Sequence, residues 1–125
     1  MRIAISAVII RDKKLLLVKK KETWILPGGK PEKNEIDLDC LKREVSEELS
    51  GTKLRNIKYY NHFEGQTPHT GDILQAKVYF ADIDGQLYPQ SEEIIDSQWV
   101  SDFSGYNLSD ITAKIVNSLK KHKFF

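Results

Sequence analysis

Pro27-Gly28-Gly29-Lys30-Pro31-Glu32-Lys33-Asn34-Glu35-Ile36-Asp37-Leu38-Asp39-Cys40-Leu41-Lys42-Arg43-Glu44-Val45-Ser46-Glu47-Glu48-Leu49 is the stretch that decides how this chain folds. Two prolines around a glycine pair stop regular structure and let main chain approach another group closely, which predicts a loop from Trp24 to Pro31. Beyond it, Leu38, Leu41, Val45 and Leu49 recur at spacings of three, four and four. That places them on one stripe of an amphipathic helix ending near Ser50-Gly51. Glu44, Glu47 and Glu48 stand at i, i+3 and i+4 and share one face beside the stripe. Like charges at this spacing each cost roughly a few tenths of a kcal/mol, and the last turns of a helix disfavour anions. Two readings follow. A hard divalent cation can offset the repulsion, since magnesium is held by one or two carboxylates and completes its shell with water and substrate phosphate. Alternatively, the face is solvated and neutralised by Lys42, Arg43 and Lys53.

Working outward, Ile3 to Ile10 is rich in isoleucine, valine and alanine, and Leu15 to Val18 repeats that character after the polar turn Arg11 to Lys14. This reads as strand, turn, strand. Leu54 to Phe63, Ile73 to Ile83 and Ile94 to Val100 are further strands, with Asp84-Gly85 as a turn signal. Ile111, Ile115 and Leu119 at four-residue spacing predict a closing helix from about Leu108 to Lys121. The pattern is an α/β (α+β) domain with a mixed sheet and two helices, the first carrying the crowded acids.

The 125 residues suit one domain, 1–125, with one core and no linker. Hydrophobic residues at 40% and charged residues at 30% match an ordinary globular chain rather than a disordered or membrane one. Nineteen basic against eighteen acidic side chains leave a formal charge of +1, so the whole-molecule field gives no drive toward nucleic acid. Cys40, the single cysteine, cannot form an internal disulfide and is expected to be dispensable. The apolar stretch Ile3 to Ile10 is too short to span a membrane, and no small-residue cleavage site follows it. No membrane partner is expected, and the cytoplasm is the expected compartment. His62, His69 and His122 have no ligand-like spacing, which argues against a zinc site.

Gly29, five residues, Glu35, seven residues, then Arg43-Glu44-Val45-Ser46-Glu47-Glu48 is similar to the Nudix box. The resemblance extends to the strand pair before the box, to Trp24 three residues before Pro27-Gly28-Gly29, and to Glu92-Glu93-Ile94 ahead of Trp99-Val100. The chain departs from the pattern where a glycine after the glutamate pair falls on Ser50, with Gly51 displaced by one position. It departs again at Asn34, which stands where a glycine is usual and tolerates the left-handed backbone such a turn needs.

The resemblance implies an α/β/α sandwich and hydrolysis of the diphosphate linkage of a nucleoside diphosphate derivative, with Mg2+ or Mn2+ as cofactor. It implies Glu44, Glu47 and Glu48 as metal ligands, with the backbone carbonyl of Gly28 completing the site. Relatives take their general base either from the first box glutamate, here Glu44, or from a later loop, here Glu93 six residues before Trp99. Gly29, Glu35 and Arg43 are expected as structural support, Arg43 pairing with Glu35. Lys19, Lys20 and Lys21 close the second strand as candidate phosphate contacts, of which one is expected to serve. Asn107 lies about one residue from a purine-reading asparagine of the subgroup acting on oxidised guanine nucleotides.

Short length and the amino-terminal pattern favour a nucleoside triphosphate, oxidised or not, cleaved to monophosphate and pyrophosphate. ADP-ribose or another nucleotide sugar is second, although Pro68 does not stand at the usual spacing for that subgroup. A non-catalytic nucleotide-binding module is disfavoured because the box carboxylates are kept. The basic end Lys114, Lys120, Lys121, His122 and Lys123 reads as a solvated helix terminus rather than an RNA surface. Many small relatives pair as dimers, which leaves a homodimer open.

Overall fold

The computed structural model describes residues 2–67, 70–89 and 93–125. In chain order these form β1 (Arg2–Val8), β2 (Ile10–Arg11), β3 (Lys14–Lys20), β4 (Thr23–Ile25), β5 (Gly28–Gly29), α1 (Asp37–Glu48) and β6 (Leu49–Ser50). There follow β7 (Lys53–Gln66), β8 (Ile73–Asp84), β9 (Tyr88–Pro89), β10 (Ile94–Val100) and α2 (Asp110–Lys121). One sheet runs β5-β1-β8-β7, with β1 parallel to β8 and the other pairs antiparallel, so it is mixed as expected. A second, antiparallel sheet runs β10-β3-β2, with β4 also on β3, and β6 pairs with β9.

The expected first strand, Ile3 to Ile10, is broken at Ile9. The chain changes sheets there: the Ile9 carbonyl accepts the Leu16 N–H at 2.9 Å, and β2 pairs with β3. The segment Trp24 to Pro31 is not all loop either. β4 pairs with β3, and β5 pairs with β1 through Ile5 with Gly29 and Ser6 with Gly28. Pro27 lacks an N–H but still uses its carbonyl, which accepts from Ala7 N at 2.9 Å. The closing helix starts at Asp110 rather than Leu108, because Ser109 caps it by accepting the Thr112 N–H at 3.2 Å. α1 stops at Glu48, and Leu49 enters β6 instead of a last helical turn.

The two helices lie on opposite sides of the strands, each on its own apolar layer. Cys40, Leu41, Val45 and Leu49 pack with Ile5, Ala7, Leu16, Val18 and Ile83. Ile111, Ile115, Val116 and Leu119 pack with Val8, Leu15, Leu17, Ala76 and Val78. Successive residues of β3 therefore serve alternate layers, and Leu15 to Val18 are buried without a break, as a strand covered on both faces requires. Cys40 contributes packing. Its thiol lies 3.7 Å from the Gly29 carbonyl, and burial pushes it up to about 12, far from a reactive thiolate. Among the described residues, no helix is long and apolar enough to cross a membrane.

Candidate active site

α1 places Glu44 and Glu48 one turn apart, and β5 lays the Gly28-Gly29 main chain against both. Glu48 is 9% exposed, and its Oε1 accepts the Gly28 N–H at 2.8 Å. Gly29 is needed for a steric reason: a Cβ there would lie 2.4 Å from the Cδ and Oε2 of Glu44. The missing side chain is the space that the Glu44 carboxylate fills.

Arg43 ties this end of the helix to the preceding loop. Its Nε and Nη2 donate to the two oxygens of Glu35 at 2.8 and 2.9 Å, a bidentate pair, and Nη2 also reaches the Lys30 carbonyl at 3.2 Å. Nη1 donates to Glu44 at 2.9 Å and to Glu47 at 3.3 Å. Asn34 supplies the turn in the left-handed conformation at φ 63°, as its type allows. The Arg43 hydrogen bond and the Glu32 N–H together hold the Glu35 carboxyl down at about 2. A carboxyl lowered in this way stabilises the fold above about 4.5, its ordinary value, and loses that contribution as pH falls toward 2. Thermal unfolding of wild type is therefore expected to steepen in that acid window, and Glu35→Gln to flatten it. Parallel acid limbs for the two proteins would contradict the assignment.

A cleft of about 410 Å³ runs from these groups between β1, β8 and α2. Glu44, Glu48, Gly28, Gly29, Lys20 and Glu93 border one end. Lys20 Nζ lies 3.2 Å from Glu93 Oε2. Alternation along β3 sends Lys19 elsewhere, its ammonium 5.9 Å from the centre of the Trp24 ring. Glu47 does not border the cleft: its side chain is 58% exposed and held on Arg43. Asn107 lies outside it as well, donating to the Glu22 carbonyl at 3.0 Å while its own carbonyl accepts the Trp24 N–H at 2.8 Å. It borders an adjoining polar groove that shares Thr23, Gln66, Thr67 and Ser109 with the main cleft. Lys21 lies in that groove too. Glu92, Pro68 and His69 lie outside the described residues.

The floor consists of Ala4 and Ser6 of β1 with Ala76 of β8, opposite Ile111, Thr112 and Ile115 of α2. Sequence reading missed these residues. Alternation along β1 puts Ala4 and Ser6 on one face, but which strand and helix complete the wall depends on pairing across the sheet.

Burial pushes the Glu48 carboxyl up to about 8 against the opposing Gly28 hydrogen bond, and raises that of Glu44 against its bond from Arg43. Two carboxyls that resist ionisation beside each other form a donor set that a cation relieves. Among the described residues, no group of three or more His, Cys, Asp or Glu side chains is placed to hold a metal ion, so Glu44, Glu47 and Glu48 do not stand together as a ligand set. Two carboxylates beside main chain in an open cleft nevertheless suit magnesium or manganese, which keeps water and takes substrate oxygens for the rest of its shell. The absent side chain at Gly29 lets the Glu44 carboxylate sit against main chain beside the buried Glu48, an oxygen-donor set that fits such an ion.

A family model described as NUDIX domain matches residues 1–101. The chain is 25% identical over 130 residues to an 8-oxo-dGTP diphosphatase of Buchnera aphidicola subsp. Schizaphis graminum, covering 97% of this chain and 95% of that protein. It is 39% identical over 74 residues to the NAD-capped RNA hydrolase NudC of Pseudomonas fluorescens, a match covering 59% of this chain but only 25% of that longer protein. Among solved structures it superposes on a MutT NUDIX hydrolase from Burkholderia pseudomallei with TM-score 0.82 and 26% identity, covering 93% of this chain and 95% of the other. A NUDIX hydrolase from Nitrosomonas europaea shares the fold at TM-score 0.80 and 18% identity, over 98% of this chain and 90% of its own.

Proposed function

The chain belongs to the NUDIX domain family and is a pyrophosphohydrolase, and from that premise we propose that it hydrolyses a nucleoside triphosphate, oxidised or not, to the monophosphate and pyrophosphate with Mg2+ or Mn2+. The observation that carries this reading is the buried Glu48 carboxyl on Gly28 N–H, beside Glu44 in the space left by Gly29, at one end of a cleft of about 410 Å³, within the range of small-ligand pockets.

Glu44 and Glu48 would hold the ion from α1, and the Gly28 carbonyl would complete the set. Glu47 joins them by turning from Arg43, a movement its exposure permits. When bound, the ion neutralises charge on the phosphate oxygens and lowers the pKa of a bound water. This chain's own residues do the rest. Lys20 binds phosphate as a point charge, and Glu44 or Glu93 accepts the proton of the attacking water. Arg43 and Glu35 keep the loop and helix in register so that the acids do not spread apart. The nucleoside portion lies along Ala4, Ser6 and Ala76 under Ile111 and Ile115.

A nucleotide sugar such as ADP-ribose is a second reading, favoured by one observation: the polar groove that joins the cleft through Thr23, Gln66, Thr67 and Ser109 offers room for a second moiety. The test is release of phosphate and pyrophosphate from a panel of nucleoside triphosphates, oxidised nucleotides, ADP-ribose and nucleotide sugars, with magnesium, manganese or chelator. Chelator-sensitive release of pyrophosphate from a triphosphate is the expected result. Turnover of a nucleotide sugar alone would move the assignment to the second reading, and silence across the panel would overturn both.

A further inference from the structure

We infer that Lys20 is a shared cation, paired with Glu93 at the cleft and transferred to the substrate's phosphates as they enter, so that anion binding and separation of Glu93 from Lys20 are one event. The inference rests on the reading above for the identity of the anion, and goes beyond it in linking these two side chains.

The backbone sets up the pair. Lys20 is the last residue of β3, and its ladder partner is Ile94, the first residue of β10. The next partners are Lys19 and Asp96, so Ile95 is an extra residue and the ladder is bulged there. Bulges bend the strand and re-aim side chains beside them. Glu93 therefore stands at the end of β3, its Oε2 3.2 Å from Lys20 Nζ, and both side chains border the cleft at the end that holds Glu44 and Glu48.

The chemistry of the two groups makes transfer easy. The Lys20 and Glu93 side chains are 40% and 70% exposed, so their pairing is partly screened and weak. A lysine is a point charge on a flexible stem with three donors, and it changes partner without the geometric demand of an arginine fork. A diphosphate entering beside Glu44 and Glu48 brings more negative charge than one carboxylate does, and draws the ammonium over. Glu93 is then left facing the phosphates with its charge unscreened by Lys20, as a proton acceptor needs.

The test uses inorganic pyrophosphate as the probe and chelator throughout, with wild type, Glu93→Gln, Lys20→Met and the double variant titrated by calorimetry. Glu93→Gln is expected to tighten pyrophosphate binding about two- to five-fold, the range an exposed pair supports. Lys20→Met is expected to weaken binding, and Glu93→Gln to give a smaller gain in the Lys20→Met background, where only its repulsion of the phosphates is relieved. An equal gain from Glu93→Gln with and without Lys20 would overturn the transfer, because Glu93 would then act only as a repelling charge. Affinity independent of Lys20, or no binding in any of the four proteins, would overturn it as well. Hydrolysis by wild type with metal tests the proposed function separately, since the cycle involves no metal and no turnover.

Discussion

Glu48→Gln is expected to lower turnover by two to three orders of magnitude, roughly 3 to 4 kcal/mol of transition-state stabilisation, while the protein folds and melts within a few degrees of wild type. The substitution is nearly isosteric, and the amide oxygen still accepts the Gly28 N–H that Glu48 Oε1 accepts now. What disappears is the ionisable carboxyl, which burial pushes up to about 8, so its charged form is one the fold resists. Removing a charge the fold resists carrying costs the fold little, yet a cation loses its most buried ligand. The measurement pairs steady-state hydrolysis at saturating magnesium with a thermal melt. Glu47→Gln is expected to lower turnover too with an unchanged melt, because its side chain is 58% exposed and its ion pair with Arg43 is a surface one. Full activity in both variants would overturn the assignment of the centre, and a collapsed melt for Glu48→Gln would make its role structural.

Gly28→Ala is expected to destabilise the protein by more than about 3 kcal/mol, a drop in Tm on the order of 10 °C for a domain of this size. Gly28 holds φ 143°, which a side chain rarely tolerates, and a Cβ there would lie 2.0 Å from the Ile5 carbonyl oxygen and 2.8 Å from Ser6 Cα. Those atoms are the backbone of β1, to which β5 is paired, so they cannot yield without opening the ladder. The neighbouring Gly29→Ala provides the contrast. Its Cβ would meet the Glu44 carboxylate, the far end of a flexible side chain that can swing away. That variant should keep its melting temperature and lose turnover. An unchanged melt for Gly28→Ala would show that β5 does not hold the site as described.

Much of this site was legible because helical geometry is local. Glu44, Glu47 and Glu48 share a face through spacing alone, and the loop from Gly28 to Glu35 is short enough for Arg43 to close upon, so the Arg43–Glu35 pair followed from the motif. The strands were legible as apolar runs but not as sheets. One run, Ile3 to Ile10, divides between two sheets at Ile9, and nothing in its uniform composition marks the crossing. The prolines and glycines of Trp24 to Pro31 suggested a loop, yet short pairs with β3 and β1 form there because neighbouring strands offer free edges.

By itself, then, the sequence determined the fold class, the two amphipathic helices and the acidic face beside a glycine pair, all set by periodicities of two and 3.6 residues and by backbone rules acting within a few residues. Tertiary structure alone decided that Glu48 is buried while Glu47 is left outside on Arg43, that Lys20 rather than Lys19 faces the cleft, and that Ala4, Ser6 and Ala76 meet Ile111 and Ile115 across it. These outcomes depend on strand register and on which elements pack together. A one-residue shift in register would turn every side chain of β3 to the other face, and the free energy that selects the register comes from burying layers contributed by residues far apart in the chain.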